Sequence, residues 1–166
     1  PGKKLLFMGG DIGQWQEWSE ARSLDWYLLD NAAHQGLHNY VKALNRLYTA
    51  EAALYEEDNS WQGFQWLDFR DAQRSILSFM RLAPLKSETI IVGLNFTPVV
   101  RDHYRLGVPA AGVYREVLNS DTAVYGGSNV INEGQFVAEA IPWHDQPYSI
   151  VITLPPLGST FLKHGA

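Results

Sequence analysis

The sequence contains no cysteine among its 166 residues. This absence excludes disulfide bonds, thiolate catalysis and thiolate-bound zinc together. Long apolar runs are also missing, because the longest uncharged runs, such as residues 90–94, are far too short to cross a bilayer. We therefore expect no membrane partner. A chain free of cysteine fits a reducing compartment, so the cytoplasm is the expected location.

Positive charge is scarce as well. The 13 Lys and Arg residues are outnumbered by 18 Asp and Glu residues, which gives a net charge of -5. The basic residues are scattered along the chain, whereas binding to nucleic-acid phosphates needs clustered Lys and Arg. The composition thus argues against a nucleic-acid partner. It is compatible with a neutral ligand such as a polysaccharide.

Motifs for metal or nucleophilic chemistry are not found either. His34 and His38 are four residues apart, but the glutamate of the HExxH zinc motif is absent. Ser120 and Ser128 lie in sequences rich in Gly, Asn and Asp, which favour turns rather than a nucleophile beside a base. We therefore predict no metal site and assign no catalytic residue.

Residues from about 60 to 164 have the pattern of an all-β domain. Short runs of β-branched and aromatic residues alternate there with Gly, Pro, Asn and Asp. We predict strands over residues 63–68, 75–81, 89–96, 104–106, 112–118, 136–141 and 149–154. This spacing favours an antiparallel sandwich or barrel, with residues 90–94 in a central strand. Pro155 should end the last of these strands, because proline donates no ladder hydrogen bond.

Residues 1–56 follow a different pattern. The continuous apolar run over residues 5–8 fits a strand buried on both faces, as in a parallel sheet. Apolar residues between Leu37 and Tyr48 recur at helical spacing and predict an amphipathic helix, with its start near Gly36 or His38. One strand and one helix cannot bury both strand faces. We therefore expect this region to need partners, and to self-associate or dock on the sandwich.

Several segments, in order along essentially the whole chain, resemble the C-terminal part of 1,4-α-glucan branching enzymes, which build the branch points of glycogen. The early segments PGKKLLFMGGDIGQWQEW, SLDWYLLD and LNRLY are similar to the last strand and helix of a catalytic (β/α)8 barrel. The later segments GFQWLDFRD, NFTPVVRDHYRLGVP, LNSDTAVYGGSN and TLPPL resemble the C-terminal β-domain. A related trehalose-releasing hydrolase shares the barrel motif, but LNSDTAVYGGSN favours the branching enzymes.

The resemblance implies a fold and an activity. Residues 1–56 would be the end of the α-amylase-superfamily barrel, and residues 57–166 a β-sandwich domain, so the fold class is mainly β. The parent enzyme would be a retaining transferase that cleaves α-1,4 linkages and passes the glucan to a 6-hydroxyl. In that family the catalytic carboxylates come from earlier strands, so this chain alone is expected to be inactive.

The implied partners are an α-glucan and the remainder of the barrel, and no cofactor is implied. A different class of function is a stand-alone carbohydrate-binding module without an enzymatic parent. The strand and helix at the N-terminus argue against that alternative, because an independent β-module has no need for them.

Aromatic residues near the start of the β-domain are the candidates for glucan contact, since the broad face of Trp stacks on the C–H patches of sugars. Trp66 is the best of them. Strand alternation predicts Phe64, Trp66 and Asp68 on one face, and Trp61 would widen that platform. The competing interpretation is that these aromatic residues belong to the core, as most Trp residues do.

A second candidate group is the loop after the predicted barrel strand. Active sites of (β/α)8 barrels lie on such loops, so Gly10, Asp11, Trp15 and Trp18 would line the rim of the cleft. The family usually has Glu-Phe where this chain has Asp11-Ile12. The competing interpretation is that Asp11 bonds nearby main chain or Arg22 and that the loop is structural.

Overall fold

The structure is a computed structural model that describes residues 2–84 and 88–165. Its α-helices are α1 (Ala32–Ala50) and α2 (Ala52–Tyr55). Short 3-10 helices span Trp26–Asp30, Trp61–Gly63 and Ala123–Tyr125. The strands are β1 (Phe64–Asp68), β2 (Ile76–Leu82), β3 (Thr89–Asn95), β4 (Arg101–Val108), β5 (Val113–Asn119), β6 (Phe136–Val137), β7 (Tyr148–Leu154) and β8 (Gly158–His164).

The strands form two antiparallel sheets that pack face to face. One sheet has the order β1-β2-β3-β8-β5-β6 and the other pairs β4 with β7. A bridge between Glu139 and Ser149 joins the two sheets at one edge. Between them lies the main core, built from Leu67, Ile76, Met80, Leu82, Ile91, Tyr104, Leu106, Val108, Tyr114, Ile150, Ile152, Leu154 and Leu162. The predicted fold class, mainly β with an antiparallel sandwich, is confirmed.

Strand β3 is buried on both faces, which explains its unbroken apolar sequence. Ile91 packs in the core between the sheets, while Ile90 and Val92 pack against α2 on the opposite face. The predicted central strand and the end of β7 before Pro155 are therefore both confirmed. Strand β8 was missed by the sequence analysis. Its ends are Gly158 and His164, so few of its residues carry the β-branched or aromatic signal.

The strand predicted over residues 5–8 is not formed. Residues 5–7 have no regular secondary structure, Met8 lies in a turn, and none of them pairs with a strand among those described; Leu5 is 88% exposed. A strand buried on both faces needs strands beside it and helices above it, and residues 2–84 and 88–165 supply neither at that point. Instead, the chain turns back after Phe7, whose carbonyl accepts a hydrogen bond from the Gly10 amide at 2.8 Å.

Helix α1 begins earlier than predicted and lies against the sandwich. Asn31 caps it by accepting a hydrogen bond from the Ala33 amide at 3.0 Å. Asn is a common capping residue, but the predicted start relied on the apolar stripe that begins later, at Leu37. The Tyr40 ring contacts the Tyr125 ring at 5.4 Å, and its hydroxyl bonds the Ser159 hydroxyl at 2.9 Å. The helical region therefore docks on the six-stranded sheet.

The segment LNSDTAVYGGSN folds into a tight turn that receives α1. The Asp121 carboxylate accepts hydrogen bonds at 2.8 Å from the Ser128 amide, the Ser128 hydroxyl and the Val130 amide. A Cβ on Gly127 would lie 2.1 Å from the Asp121 carbonyl, so only glycine fits there. Ser128 is thus a donor in a turn, in agreement with the expected turn chemistry.

A buried charged cluster joins the helical region to the sandwich. Arg81 on β2 donates to the Asp58 carboxylate at 2.8 Å and to the carbonyls of Gly63 and Leu54. Tyr48 and Lys4 donate to the same carboxylate. Burial opposes ionisation of Asp58, but these three donors outweigh it and lower its pKa to about 2.

We expect Asp58→Asn to lower the free energy of unfolding at neutral pH by about 3 kcal/mol, because it leaves the Arg81 charge buried without its counter-ion. Urea unfolding followed by Trp fluorescence measures the change. Glu56→Gln, at an exposed position two residues away, is the control and should change stability by less than about 0.5 kcal/mol.

The parent chain and Asp58→Asn should also differ in how their stability depends on pH. The folded pKa of Asp58 lies below its unfolded value, so its contribution is complete above about pH 4 and is lost as pH falls toward 2. The stability gap between the parent chain and Asp58→Asn should therefore shrink over that interval. A gap that stays constant down to pH 2 would contradict the assigned role.

We also expect Gly36→Ala to destabilise the docked helix. Alanine favours helix by about 1 kcal/mol, but its Cβ would lie 2.5 Å from the Tyr125 carbonyl oxygen. The backbone must move, so the net change should be a loss of about 1–3 kcal/mol. Gln35→Ala, on an exposed face of the same helix, should be neutral or slightly stabilising. Increased stability of Gly36→Ala would show that the contact is loose.

Candidate functional site

An aromatic patch lies at the open edge of the six-stranded sheet and consists of Phe64, Trp66, Phe69 and Phe79. Trp66 on β1 lies opposite Phe79 on β2, and their rings meet edge to face at 6.0 Å. Phe64 stacks on Phe79 at 5.2 Å and meets Trp66 edge-on at 5.0 Å. The Phe69 ring lies 5.7 Å from Trp66. The patch is therefore a set of mutually supported rings.

The patch is accessible to a ligand. Trp66 is 44% exposed although three rings hold it, which leaves part of its surface free for stacking. Phe69 is also exposed, and the Arg70 guanidinium lies 5.6 Å from its ring centre. Trp61 is 78% exposed but makes no ring contact with the patch within the described residues. The structure therefore brings Phe64 and Trp66 together and leaves Trp61 outside this set of ring contacts.

Asp68 does not share the face of Phe64 and Trp66, so the predicted alternation is wrong at this position. The pairing of β1 with β2 shifts between Trp66 and Asp68, which places Asp68 opposite the fully buried Ser78. A β-bulge of this kind inserts one residue and reverses the face of those after it. The Asp68 carboxylate consequently lies 3.7 Å from Nε2 of His144.

Phe69 and Phe79 were not among the candidates from the sequence. Phe79 reaches the patch only through its cross-strand partner Trp66, and this pairing depends on the register of two strands. Phe69 follows directly after β1. The spacing of aromatic residues in GFQWLDF was the one feature of the sequence that indicated the patch. It predicted where the patch lies but not which other residues belong to it.

The predicted rim loop forms a shallow cavity of about 260 Å³, lined in part by Gly10, Trp15 and Trp18. Trp15 packs edge-on against His34 at 5.0 Å, and Trp18 packs edge-on against Phe7 at 6.1 Å. Both rings therefore have neighbours within the chain, and Trp15 remains largely exposed.

Contacts with α1 and the following segment hold this loop in place. Ile12 is fully buried, and its carbonyl bonds Nδ1 of His34 at 2.7 Å. The Asp11 carboxylate lies 3.5 Å from Nδ1 of His38, while Arg22 lies 3.9 Å from Asp25. Asp11 thus has a partner on α1 instead of Arg22. The loop is therefore ordered by contacts with α1 within the same chain.

Metal and membrane sites receive no support from the described ranges. Residues 2–84 and 88–165 contain no group of three His, Asp or Glu side chains placed to hold a metal ion. In the same ranges, none of the helices combines the length and the apolar character that crossing a membrane requires.

The sequence matches a family model described as alpha amylase, C-terminal all-beta domain, over residues 66–165. The matched region begins at Trp66 and includes most of the sandwich. The chain belongs to this family. The aromatic patch therefore lies where the family domain starts, and the helical region with its loop precedes it.

Curated relatives extend the similarity over nearly the whole chain. The chain is 49% identical over 164 residues to a 1,4-alpha-glucan branching enzyme GlgB of Aquifex aeolicus, which covers 99% of this chain and 26% of the relative. It is 53% identical to the enzyme of that name from Thiobacillus denitrificans, covering 98% of this chain and 22% of the relative. The chain thus spans about a quarter of the length of these relatives.

Solved structures give weaker likenesses. An alpha-amylase from H. orenii superimposes with a TM-score of 0.46 at 12% identity, covering 78% of this chain and 20% of that one. A MutB mutant in complex with glucose gives a TM-score of 0.48 at 16% identity, with 78% and 18% covered.

Because Asp68 lies beside His144, it should influence the pKa of His144. Burial lowers the pKa of His144, and the nearby Asp68 carboxylate partly opposes that shift. We expect His144 to titrate below its ordinary value of 6.5 and Asp68→Asn to lower its pKa further. NMR titration of the imidazole C–H signal measures both. Asp30→Asn, at an exposed site, should leave the His144 pKa unchanged, and a rise in Asp68→Asn would contradict the bulge geometry.

Proposed function

We propose that the chain is the C-terminal part of a glycogen branching enzyme and that it holds α-glucan without performing catalysis. The complete enzyme would cleave α-1,4 linkages and transfer the released chain to a 6-hydroxyl, which forms α-1,6 branches. The observation that carries this proposal is the identity of about 50% to branching enzymes over 98–99% of the chain. The names of these relatives favour the branching reaction over the trehalose-releasing alternative.

The division at residue 56 belongs to the proposal. Residues 1–56 would complete the catalytic (β/α)8 barrel, and residues 57–166 would form the α-amylase-type β-domain. The exposed apolar run at residues 5–8 supports this division, because an apolar segment of this kind fits between neighbouring barrel strands. The remainder of the barrel is therefore the proposed partner, and self-association would occur through the same surface in its absence.

The rim loop would then lie at the mouth of the catalytic cleft. Barrel enzymes carry their active sites on the loops that follow the strands, and Gly10, Asp11, Trp15 and Trp18 follow residues 5–8 directly. The partners of these residues within the chain indicate a supporting role in shaping the cleft. Catalytic carboxylates would come from other parts of the enzyme.

The aromatic patch is the proposed surface for glucan. A glucose unit is neutral and presents C–H patches, so it stacks on an exposed indole while its hydroxyls stay in water. Trp66 offers such a face, Phe64 and Phe79 hold it rigid, and Trp61 lies close in sequence to extend the surface. A rigid ring loses little side-chain entropy when it binds. Soluble glucan would be met in the cytoplasm, the proposed location.

Affinity electrophoresis in gels that contain glycogen or amylose tests this function. The chain should be retarded, and Trp66→Ala should weaken binding by about tenfold or more, since it removes the central ring of the patch. Trp26→Ala is the matched control because Trp26 is similarly exposed but lies on the 3-10 helix before α1.

An iodine-stain branching assay on the same samples separates binding from catalysis. Retardation without branching is the expected result. Equal retardation of the parent chain and Trp66→Ala would remove the patch from the binding surface. Branching activity by the chain alone would contradict the assignment of catalysis to other parts of the enzyme.

A further inference from the structure

A second, polar cleft lies on the other side of the β1 bulge. Its cavity of about 570 Å³ runs between the end of β1, the start of β4 and the turn at Trp143 and His144. The volume lies within the range of about 300–1,000 Å³ that is common for small-molecule sites. It is separate from the aromatic patch, because the bulge directs Asp68 into this cleft and Trp66 away from it.

Irregular backbone shapes two walls of this cleft. The pairing of β4 with β7 shifts between Arg101 and Tyr104, and His103 in that bulge has a φ of 54°. The opposite wall is a two-residue turn closed by mutual hydrogen bonds between Trp143 and Gln146 at 3.0 and 2.9 Å. Positive φ at non-glycine residues costs free energy and is concentrated at binding sites.

The turn is fixed closely against β4. A Cβ on Gly107 would lie 2.0 Å from the Trp143 carbonyl oxygen, so the turn and the strand are in direct backbone contact. His144, which has a φ of 51°, accepts a hydrogen bond at Nδ1 from the Gly107 amide at 3.3 Å. Trp143 is therefore anchored by its backbone while its side chain remains 45% exposed at the cleft.

The charges that line the cleft cancel. The lining contains three carboxylates and three guanidinium groups, those of Asp68, Asp71, Asp102, Arg74, Arg101 and Arg105, and the Arg105 guanidinium is also paired at 2.6 Å with Glu139, which is not part of the lining. Burial lowers the pKa of His144 and raises the pKa of Tyr104 to about 12, so both side chains are neutral at physiological pH. An anion would meet the three carboxylates, and a cation would meet the three guanidinium groups.

Several polar groups in the cleft have unused hydrogen-bonding capacity. Nε of Arg101 is buried and has no partner among the described residues, and its Nη2 makes only long contacts of 3.3 and 3.4 Å. Arg74 is 60% exposed, and its Nη1 lies 3.8 Å from the Asp71 carboxylate. Carboxylates and guanidinium groups placed side by side match the adjacent hydroxyls of a sugar ring, which both donate and accept.

From this geometry we propose that the cleft is a second saccharide site, which binds a short segment of neutral α-glucan with Trp143 stacked on one glucose ring. The proposal rests on the proposed function, because it takes α-glucan as the ligand that this chain meets. It adds a site in which hydrogen bonds orient the sugar, whereas the aromatic patch offers chiefly stacking.

The six Trp indole N–H signals of the 166-residue chain allow both sites to be observed in one NMR experiment. Maltoheptaose is titrated into the isotope-labelled chain, and Trp143→Phe and Trp66→Ala assign the two signals. We expect the Trp143 signal to shift on titration, and to shift equally when Trp66 is replaced by Ala. Inorganic phosphate, titrated separately, should leave it unmoved.

Arg74→Ala tests the polar side of the cleft without touching the core. It should weaken the response of the Trp143 signal to maltoheptaose by about fivefold, while the Trp66 response stays unchanged. Arg46→Ala, at an exposed position on α1, is the control and should alter neither response.

The outcomes separate this proposal from the proposed function. A shift at Trp66 with none at Trp143 overturns the second site and leaves the aromatic patch intact. A shift at Trp143 with none at Trp66 supports the second site and counts against the patch. No shift at either residue overturns both. A response of Trp143 to phosphate but not to maltoheptaose overturns the saccharide assignment.

Discussion

The ion pair between Asp58 and Arg81 is the contact on which the arrangement of the whole chain depends. Arg81 belongs to β2, whereas the other donors to Asp58 come from α1 and from the N-terminal segment. The outer face of the six-stranded sheet is apolar around it and would be exposed without the helices. A buried ion pair contributes modestly to net stability, but its demand for exact partners selects one docked position for the helices.

Strand β1, at the edge of the six-stranded sheet, separates two different surfaces. The β1 bulge separates them, so that Trp66 and Asp68, two residues apart, face different environments. One surface is a set of supported rings, and the other is a polar cleft with balanced charge. As the two proposed glucan sites, they would engage separate points of a long polysaccharide, and each binding event would strengthen the other through effective concentration.

Regular patterns of apolar and turn residues made the sandwich predictable from the sequence. Features that depend on pairing between distant segments were not predictable in this way. All seven predicted strands overlap observed ones through alternation and turn residues, and β3 was recognisable by its unbroken apolar run. Strand β8 lacked that signal, and the run at residues 5–8 has the composition of a strand without the neighbours that make one. In the candidate site, Trp66 and Phe64 followed from local sequence. The face on which Asp68 lies and the position of Phe79 beside Trp66 both depend on the register between β1 and β2. That register cannot be read from the sequence of one strand.

The bulge in β1 has a further consequence for solubility. Strand β1 is an outer strand of its sheet, and its outward N–H and C=O groups beside exposed aromatic rings would form a template for pairing with another copy of the chain. The extra residue after Trp66 interrupts the regular spacing of those groups and twists the strand end. The bulge that separates the two surfaces therefore also shortens the part of the β1 edge that a strand of another molecule could pair with. The protein thus displays exposed aromatic rings at a sheet edge while leaving less of that edge open to fibril growth.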